Sequence, residues 1–286
     1  MTYLLSHLKN YALLMRLHRP VGILLLLWPT LWAVWIAAQG SPSLSIVIIF
    51  ILGVVLMRSA GCIVNDFADR KFDGKVARTK ERPLVTGTVS IKEAILLFAC
   101  LCLIAFILVL FLNCLSIFLA AIALLLAMCY PFMKRYIQAP QVILGLAFSW
   151  GIPMAFAAET NTVPVVAWLL FFCTCLWVII YDTQYAMADR EDDLKIGIRS
   201  TAILFGNADV LIITFLQVAF LLLLAVIGMW QKLGIVYFAS LIIAAGFFIY
   251  QIYLIKDRDP QGCFAAFNNN QWVGLVIFLG VVFGFF

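Results

Sequence analysis

A chain of 286 residues that is 65% apolar and only 12% charged does not read as water-soluble, since soluble domains are about a quarter charged. It holds no polar stretch long enough for a separate soluble domain. The net charge of +5 is scattered in short segments between apolar runs, which excludes a nucleic-acid-binding face and makes the placement of each charge informative.

The first nineteen residues predict an amphipathic helix on the membrane surface rather than a cleaved signal. Leu4, Leu5, Leu8, Tyr11 and Met15 fall roughly on one side, with Lys9, Arg16 and His18 interspersed. No charge appears between Arg19 and Arg58, a run long enough for two helices of about 20 residues that breaks at Gln39-Gly40-Ser41-Pro42-Ser43. A charge-rich loop from about 65 to 90 follows. Glu93 to Lys134 is a second double-length run, broken near Asn113. Single-length runs lie between Arg135 and Glu159, Glu159 and Asp182, Asp209 and Lys232, Lys232 and Lys256, and from about Gln271 to Phe286. The second charge-rich loop, about 182 to 207, separates two of these. The reading is an all-α polytopic bundle of about nine transmembrane helices, one domain over 1–286. Asn268-Asn269-Asn270 would then precede the last helix and cap it.

With nine helices the loops alternate sides. Lys9, Arg16, Arg19, the basic residues between Arg70 and Lys92, Lys134, Arg135, Arg190, Lys195, Arg199, Lys256 and Arg258 all fall on one side, and Lys232 alone on the other. That bias makes the basic side cytoplasmic, with the amino terminus inside and the carboxyl terminus outside. Most of the eight cysteines sit in apolar helices and read as small buried hydrophobes; Cys173 and Cys175, two apart, face different ways. His7 and His18 read as interface residues without a catalytic role.

Two acidic motifs carry the chemistry. In Asn65-Asp66-Phe67-Ala68-Asp69-Arg70-Lys71-Phe72-Asp73, the aspartates at 66, 69 and 73 share one helical face. In the segment from Asp182 to Asp193, so do Asp182, Tyr185, Asp189 and Asp193. Four helices separate the motifs, so both emerge on the cytoplasmic side, as in a weak parallel repeat. Carboxylates crowded beside a low-dielectric slab repel one another unless a cation offsets them. Mg²⁺, held by one or two carboxylates plus phosphate oxygens, answers that need. Two such clusters imply a clamped diphosphate made into a good leaving group. Lys75, Arg78 and Arg82 beyond the first motif, and Lys195 and Arg199 beyond the second, suit phosphate oxygens, though basic residues there also serve as topology signals.

The motifs resemble the N-D-x-x-D-x-x-x-D and D-x-x-Y-A-x-x-D-x-x-x-D signatures of the UbiA superfamily of intramembrane aromatic prenyltransferases, matching at every position. Arg19-Pro20-Val21-Gly22, Trp28-Pro29-Thr30, Tyr130 to Tyr136, Gly151 to Phe156 and Lys195 to Thr201 extend the similarity over nearly the whole chain, towards the bacterial ubiquinone-pathway branch. The resemblance implies nine helices around a central cavity open to the cytoplasmic side of a bacterial inner membrane. It implies transfer of a polyprenyl group, octaprenyl by expectation, from its diphosphate to the 3-position of 4-hydroxybenzoate, with Mg²⁺ as cofactor. Asp69, Asp73, Asp189 and Asp193 would hold metal and diphosphate, with Asn65, Asp66 and Asp182 supporting them or adding ligands. Arg135, Arg19 and Arg58 are candidates for the acceptor carboxylate, with Tyr130 and Tyr185 shielding the allylic cation or touching the acceptor. For Arg58 and Arg135, snorkelling to the interface is the alternative; otherwise Arg58, inside a helix, needs a partner within the bundle. No obligate protein partner is evident besides the lipid bilayer. Two other readings stay open: the same chemistry on a different aromatic acceptor, and transport of an anionic isoprenoid.

Overall fold

A computed structural model describes residues 2–74, 79–133 and 136–286, with side chains described throughout these except at 2–6, 71–73 and 196. The order of helices is α1 (Thr2–Leu14), α2 (Val21–Ala37), α3 (Leu44–Asp73), α4 (Pro83–Thr86), α5 (Ile91–Val109), α6 (Cys114–Met133), α7 (Pro140–Ser149), α8 (Gly151–Thr160), α9 (Val165–Ile196), α10 (Thr201–Phe205), α11 (Asp209–Trp230), α12 (Ile235–Ile255) and α13 (Pro260–Gly284). Among the described residues there is no strand, and eight stretches are helical, long and apolar enough to cross a membrane. α7 and α8 together make one of these, and the 17-residue α2 is a further apolar helix. With it the expected count of about nine is reached.

α9 is the axis of the bundle. It packs on α7, α8, α11 and α13, while α13 also packs on α2 and α12. Its core is aromatic: Trp177 stacks on Phe220 at 5.9 Å between ring centroids and meets Trp32 at 5.3 Å. Such pairs add about 0.5–1.5 kcal/mol beyond area burial. α2 and α13 approach closely at Gly274, where a Cβ would stand 2.3 Å from Trp28 Cδ1 and 2.9 Å from Trp177 Cη2.

A chain of amides ties the same helices together. Trp177 Nε1 donates to Asn270 Oδ1 at 2.9 Å, Asn270 Nδ2 to Gln184 Oε1 at 2.8 Å, and Gln184 Nε2 to Gln251 Oε1 at 2.9 Å. Gln217 Nε2 joins at Gln251 Oε1, and Gln251 Nε2 donates to Asn269 Oδ1. Lipid cannot satisfy these groups, so they satisfy one another.

Three expectations need correction. The last helix begins at Pro260, not near Gln271, started by the Asp259 side chain accepting from the Gly262 amide at 2.8 Å. Asn268, Asn269 and Asn270 therefore lie within α13 rather than capping it. Their amides face protein partners or the cavity described below, so hydropathy cannot place them in a helix. The acidic motifs also ride on helix, not loop: α3 continues through Asp73, and α9 through Ile196. At 1.5 Å per residue, their 30 and 32 residues outrun a hydrocarbon core about 30 Å thick. α9 stops at Gly197, whose φ of 72° is the left-handed cap glycine adopts cheaply.

All eight cysteines are free. Cys173 and Cys175 do face different neighbours, Phe220 O and Ser149 Oγ, whereas Cys100, Cys114 and Cys129 lie on the outer surface.

Candidate active site

The extended ends of α3 and α9 open onto one cavity of about 1280 Å³, above the 300–1,000 Å³ usual for small-ligand pockets. One part is polar. α3 lines it with Asn65, Asp66 and Asp69, and α9 with Asp182, Tyr185, Asp189 and Asp193. The other part is apolar, walled by Ile49, Phe50 and Val54 of α3, Leu108 and Val109 of α5, and Ala120, Ala121 and Leu124 of α6. The shape suits an amphiphile with an anionic head and a long hydrocarbon tail.

Asp66 is 2% exposed and accepts from two arginines at the same oxygen, Arg16 Nη2 at 2.6 Å and Arg82 Nη1 at 3.0 Å. Burial works against the Arg16 guanidinium, but the carboxylate beside it prevails and holds its pKa above the ordinary arginine value. Asp66, expected as a metal ligand, is thus already charge-paired, and Arg82, expected on diphosphate, is paired with it. Arg16 comes from the turn after α1; 50 residues separate it from Asp66, so no local pattern announces the contact.

Arg58 lies eight residues before Asp66 on α3, about 12 Å along the helix. Its Nε donates to the Gly22 carbonyl at 3.2 Å, its Nη1 to Cys62 Sγ at 2.8 Å, and its guanidinium stands 5.7 Å from the Phe148 ring centroid. The partner inside the bundle that a membrane charge requires is present, and it is neutral. Gly22 makes this possible: a Cβ there would fall 2.6 Å from Arg58 Nη2.

Arg19 is exposed and lines the cavity with Arg199, which donates to the Tyr136 carbonyl at 2.9 Å. Tyr130 lines it as well. Lys195 does not join them; it is exposed and paired with Asp192 at 3.2 Å, outside the cavity lining. Lys75, Arg78 and Arg135 lie outside the described residues, as does the side chain of Asp73. His18 is exposed at the cavity lining, where burial and the charges of Arg19 and Arg16 lower its pKa and favour the neutral ring.

Other lining residues escape a sequence reading because aromatic side chains abound in this chain. Phe264 and Phe267 of α13 pack on Tyr185 at 6.0 and 4.9 Å. Tyr181 lies against Trp177 at 5.5 Å and Phe267 at 6.1 Å. Its hydroxyl is buried and has no hydrogen-bond partner among the described residues, although buried phenols normally find one.

The donor set is oxygen-rich and carboxylate-based, as a hard cation requires. Among the described residues no three acidic, histidine or cysteine side chains form a ready metal cage.

A bundle of long helices encloses an acidic mouth that continues into an apolar cavity, the layout of a membrane protein that handles an amphiphile. Two solved structures share that fold. An apo UbiA homolog from Aeropyrum pernix K1 superposes with a TM-score of 0.79 at 26% identity, covering 90% of this chain and 96% of that one. A UbiA homolog from Archaeoglobus fulgidus, solved bound to GPP and Mg²⁺, superposes at 0.71 with 18% identity, covering 96% and 99%. Residues 26–282 match the model of the UbiA prenyltransferase family, and the chain belongs to that family. A relative from Saccharophagus degradans, called 4-hydroxybenzoate octaprenyltransferase, is 59% identical over 96% of this chain and 92% of its own.

Proposed function

We propose that this protein transfers an octaprenyl group from its diphosphate to the 3-position of 4-hydroxybenzoate, a step of ubiquinone biosynthesis. The observation that carries the reading is the convergence of both aspartate motifs with arginines at one end of an otherwise apolar cavity. The 59% identical relative bears the corresponding name.

Asp69, Asp189 and Asp193, with Asp73 and Asp182, would hold Mg²⁺. When bound, the metal neutralises the diphosphate and makes it a better leaving group. Arg82 and Arg199 then add charge-assisted hydrogen bonds to the departing oxygens. As the allylic carbon–oxygen bond ionises, the faces of Tyr185, Phe264 and Phe267 stabilise the cation and keep water from it. The tail occupies the channel between α3, α5 and α6. The ring carbon beside the acceptor phenol attacks the cation, and a base then takes the ring proton, restoring aromaticity.

Arg58 is the best-placed candidate for the acceptor carboxylate. Among the described residues its charge sits within the cavity with neutral partners, and an anionic ligand would complement it. Tyr181, with its unsatisfied hydroxyl, offers the acceptor a hydrogen bond. The motifs face the cytoplasm of a bacterial inner membrane in this reading, because nearly all basic residues fall at that end.

The test is purified protein in lipid nanodiscs with octaprenyl diphosphate, Mg²⁺ and either 4-hydroxybenzoate or 4-hydroxybenzamide. Mass spectrometry should find one octaprenyl adduct on the acid and at least tenfold less on the amide. An inert acid with another aromatic acceptor consumed would move the substrate; equal use of acid and amide would remove Arg58 from its role.

A further inference from the structure

The Arg16–Asp66–Arg82 cluster joins three separate pieces of chain at the cavity lining: the turn after α1, the polar end of α3 and the residue that precedes α4. Both guanidinium groups converge on Oδ1 of Asp66. Two arginines and one carboxylate leave a net charge of +1, presented beside Asp69 one turn further along the same face of α3. The arginine side chains are 26% and 16% exposed, against 2% for the carboxylate. The anion is therefore the buried post, and the cations are the accessible part.

Arg16 reaches this place at a conformational cost. Its φ is 55°, and the Leu17 amide closes back on the Ala12 carbonyl at 3.0 Å. That is the left-handed position after a helix end, where glycine is the favoured residue. A guanidinium carries five N–H donors in a planar fork. The bond from Arg16 Nη2 to Asp66 leaves the rest of the fork for a second anion.

Resting on the proposed transferase reading, we infer that Asp66 is a positioning residue rather than a magnesium ligand. It fixes Arg16, together with Arg82, as a preassembled cationic seat for the donor diphosphate. Both guanidinium groups hold Oδ1, so a metal ion could take only the other oxygen of a side chain that is 2% exposed, with two cations beside it. A diphosphate oxygen meets the same groups with the opposite sign. The N-terminal segment thereby becomes part of the donor site.

The experiment compares wild type, Arg16→Gln, Asp66→Asn and the double variant in detergent, with Arg16→Lys as a milder change. Inorganic diphosphate affinity is measured by calorimetry at fixed Mg²⁺, and donor KM, acceptor KM and the Mg²⁺ requirement are measured in nanodiscs. Arg16→Gln and Asp66→Asn should each weaken diphosphate binding and raise donor KM by about tenfold, the loss of one hydrogen bond between charged groups. Acceptor KM and the Mg²⁺ concentration for half-maximal turnover should stay within about twofold. The double variant should be no worse than the weaker single, because the two residues act as one unit, and Arg16→Lys should fall between wild type and Arg16→Gln. A tenfold rise in the Mg²⁺ requirement for Asp66→Asn but not Arg16→Gln would make Asp66 a metal ligand and overturn the inference. So would unchanged diphosphate affinity in folded variants. Absence of wild-type turnover would count against the transferase reading alone, since diphosphate binding is read without catalysis.

Discussion

Gly22 has no room for a side chain because the guanidinium of Arg58 occupies the place of its Cβ, 2.6 Å from Nη2. Gly22→Ala should therefore push Arg58 off its seat on the Gly22 carbonyl. The expected result is a rise of about tenfold in KM for 4-hydroxybenzoate with donor KM unchanged, read from initial rates. A change confined to the donor would place the acceptor elsewhere. Tyr181→Phe removes a hydroxyl that no group among the described residues satisfies. Thermal stability should hold or rise, because a buried unsatisfied group costs about 1–3 kcal/mol, while acceptor KM rises several-fold. A fall in stability with normal kinetics would show the hydroxyl to be structural. Arg58 was legible in the sequence as a charge inside an apolar run. Gly22 stood in the matching motif, but its reason for being glycine lies 36 residues away and needed the packing of α2 on α3.

The helices hold one another largely through α9 and α13. Asn270 accepts from Trp177 and donates to Gln184, so Asn270→Leu leaves both without that partner. Hydrogen bonds inside membranes average about 0.6 kcal/mol and reach about 1.7, and the orphaned groups add to the loss. A drop of several degrees in the unfolding midpoint in detergent is expected, and an unchanged midpoint would mean that water or lipid replaces the amide. The spans themselves were readable because a charge-free run of sufficient length has few alternatives in a membrane protein. Their ends were not. The stretch Gln261 to Asn270 resembled a loop because hydropathy counts composition, whereas the amides of Asn269 and Asn270 are met by α12 and α9 across the bundle. The acidic motifs resembled loops for the same reason, although their spacing of three and four already described the helical face they occupy.

At the scale of the whole molecule, two helices longer than the hydrocarbon core is thick carry carboxylates to a shared mouth, and the cavity beneath is lined by apolar side chains. The sequence made both motifs and their common side plain. It did not show that Arg16 and Arg82 would neutralise Asp66 or that aromatic residues of α13 would wall the mouth, since both depend on segments far apart in the chain; the Lys195–Asp192 pair is local, three residues apart, but lies outside the cavity lining. The central claim is that the two aspartate faces act together on one metal-bound diphosphate, and the most direct measurement is Mg²⁺-dependent release of diphosphate from octaprenyl diphosphate by wild type, Asp69→Asn and Asp189→Asn in the presence of 4-hydroxybenzoate. Chelation should abolish release by wild type, and each variant should lose at least about a hundredfold in kcat while keeping its unfolding midpoint within a few degrees. Release that survives chelation, or a folded variant of either motif that turns over at the wild-type rate, would contradict the account.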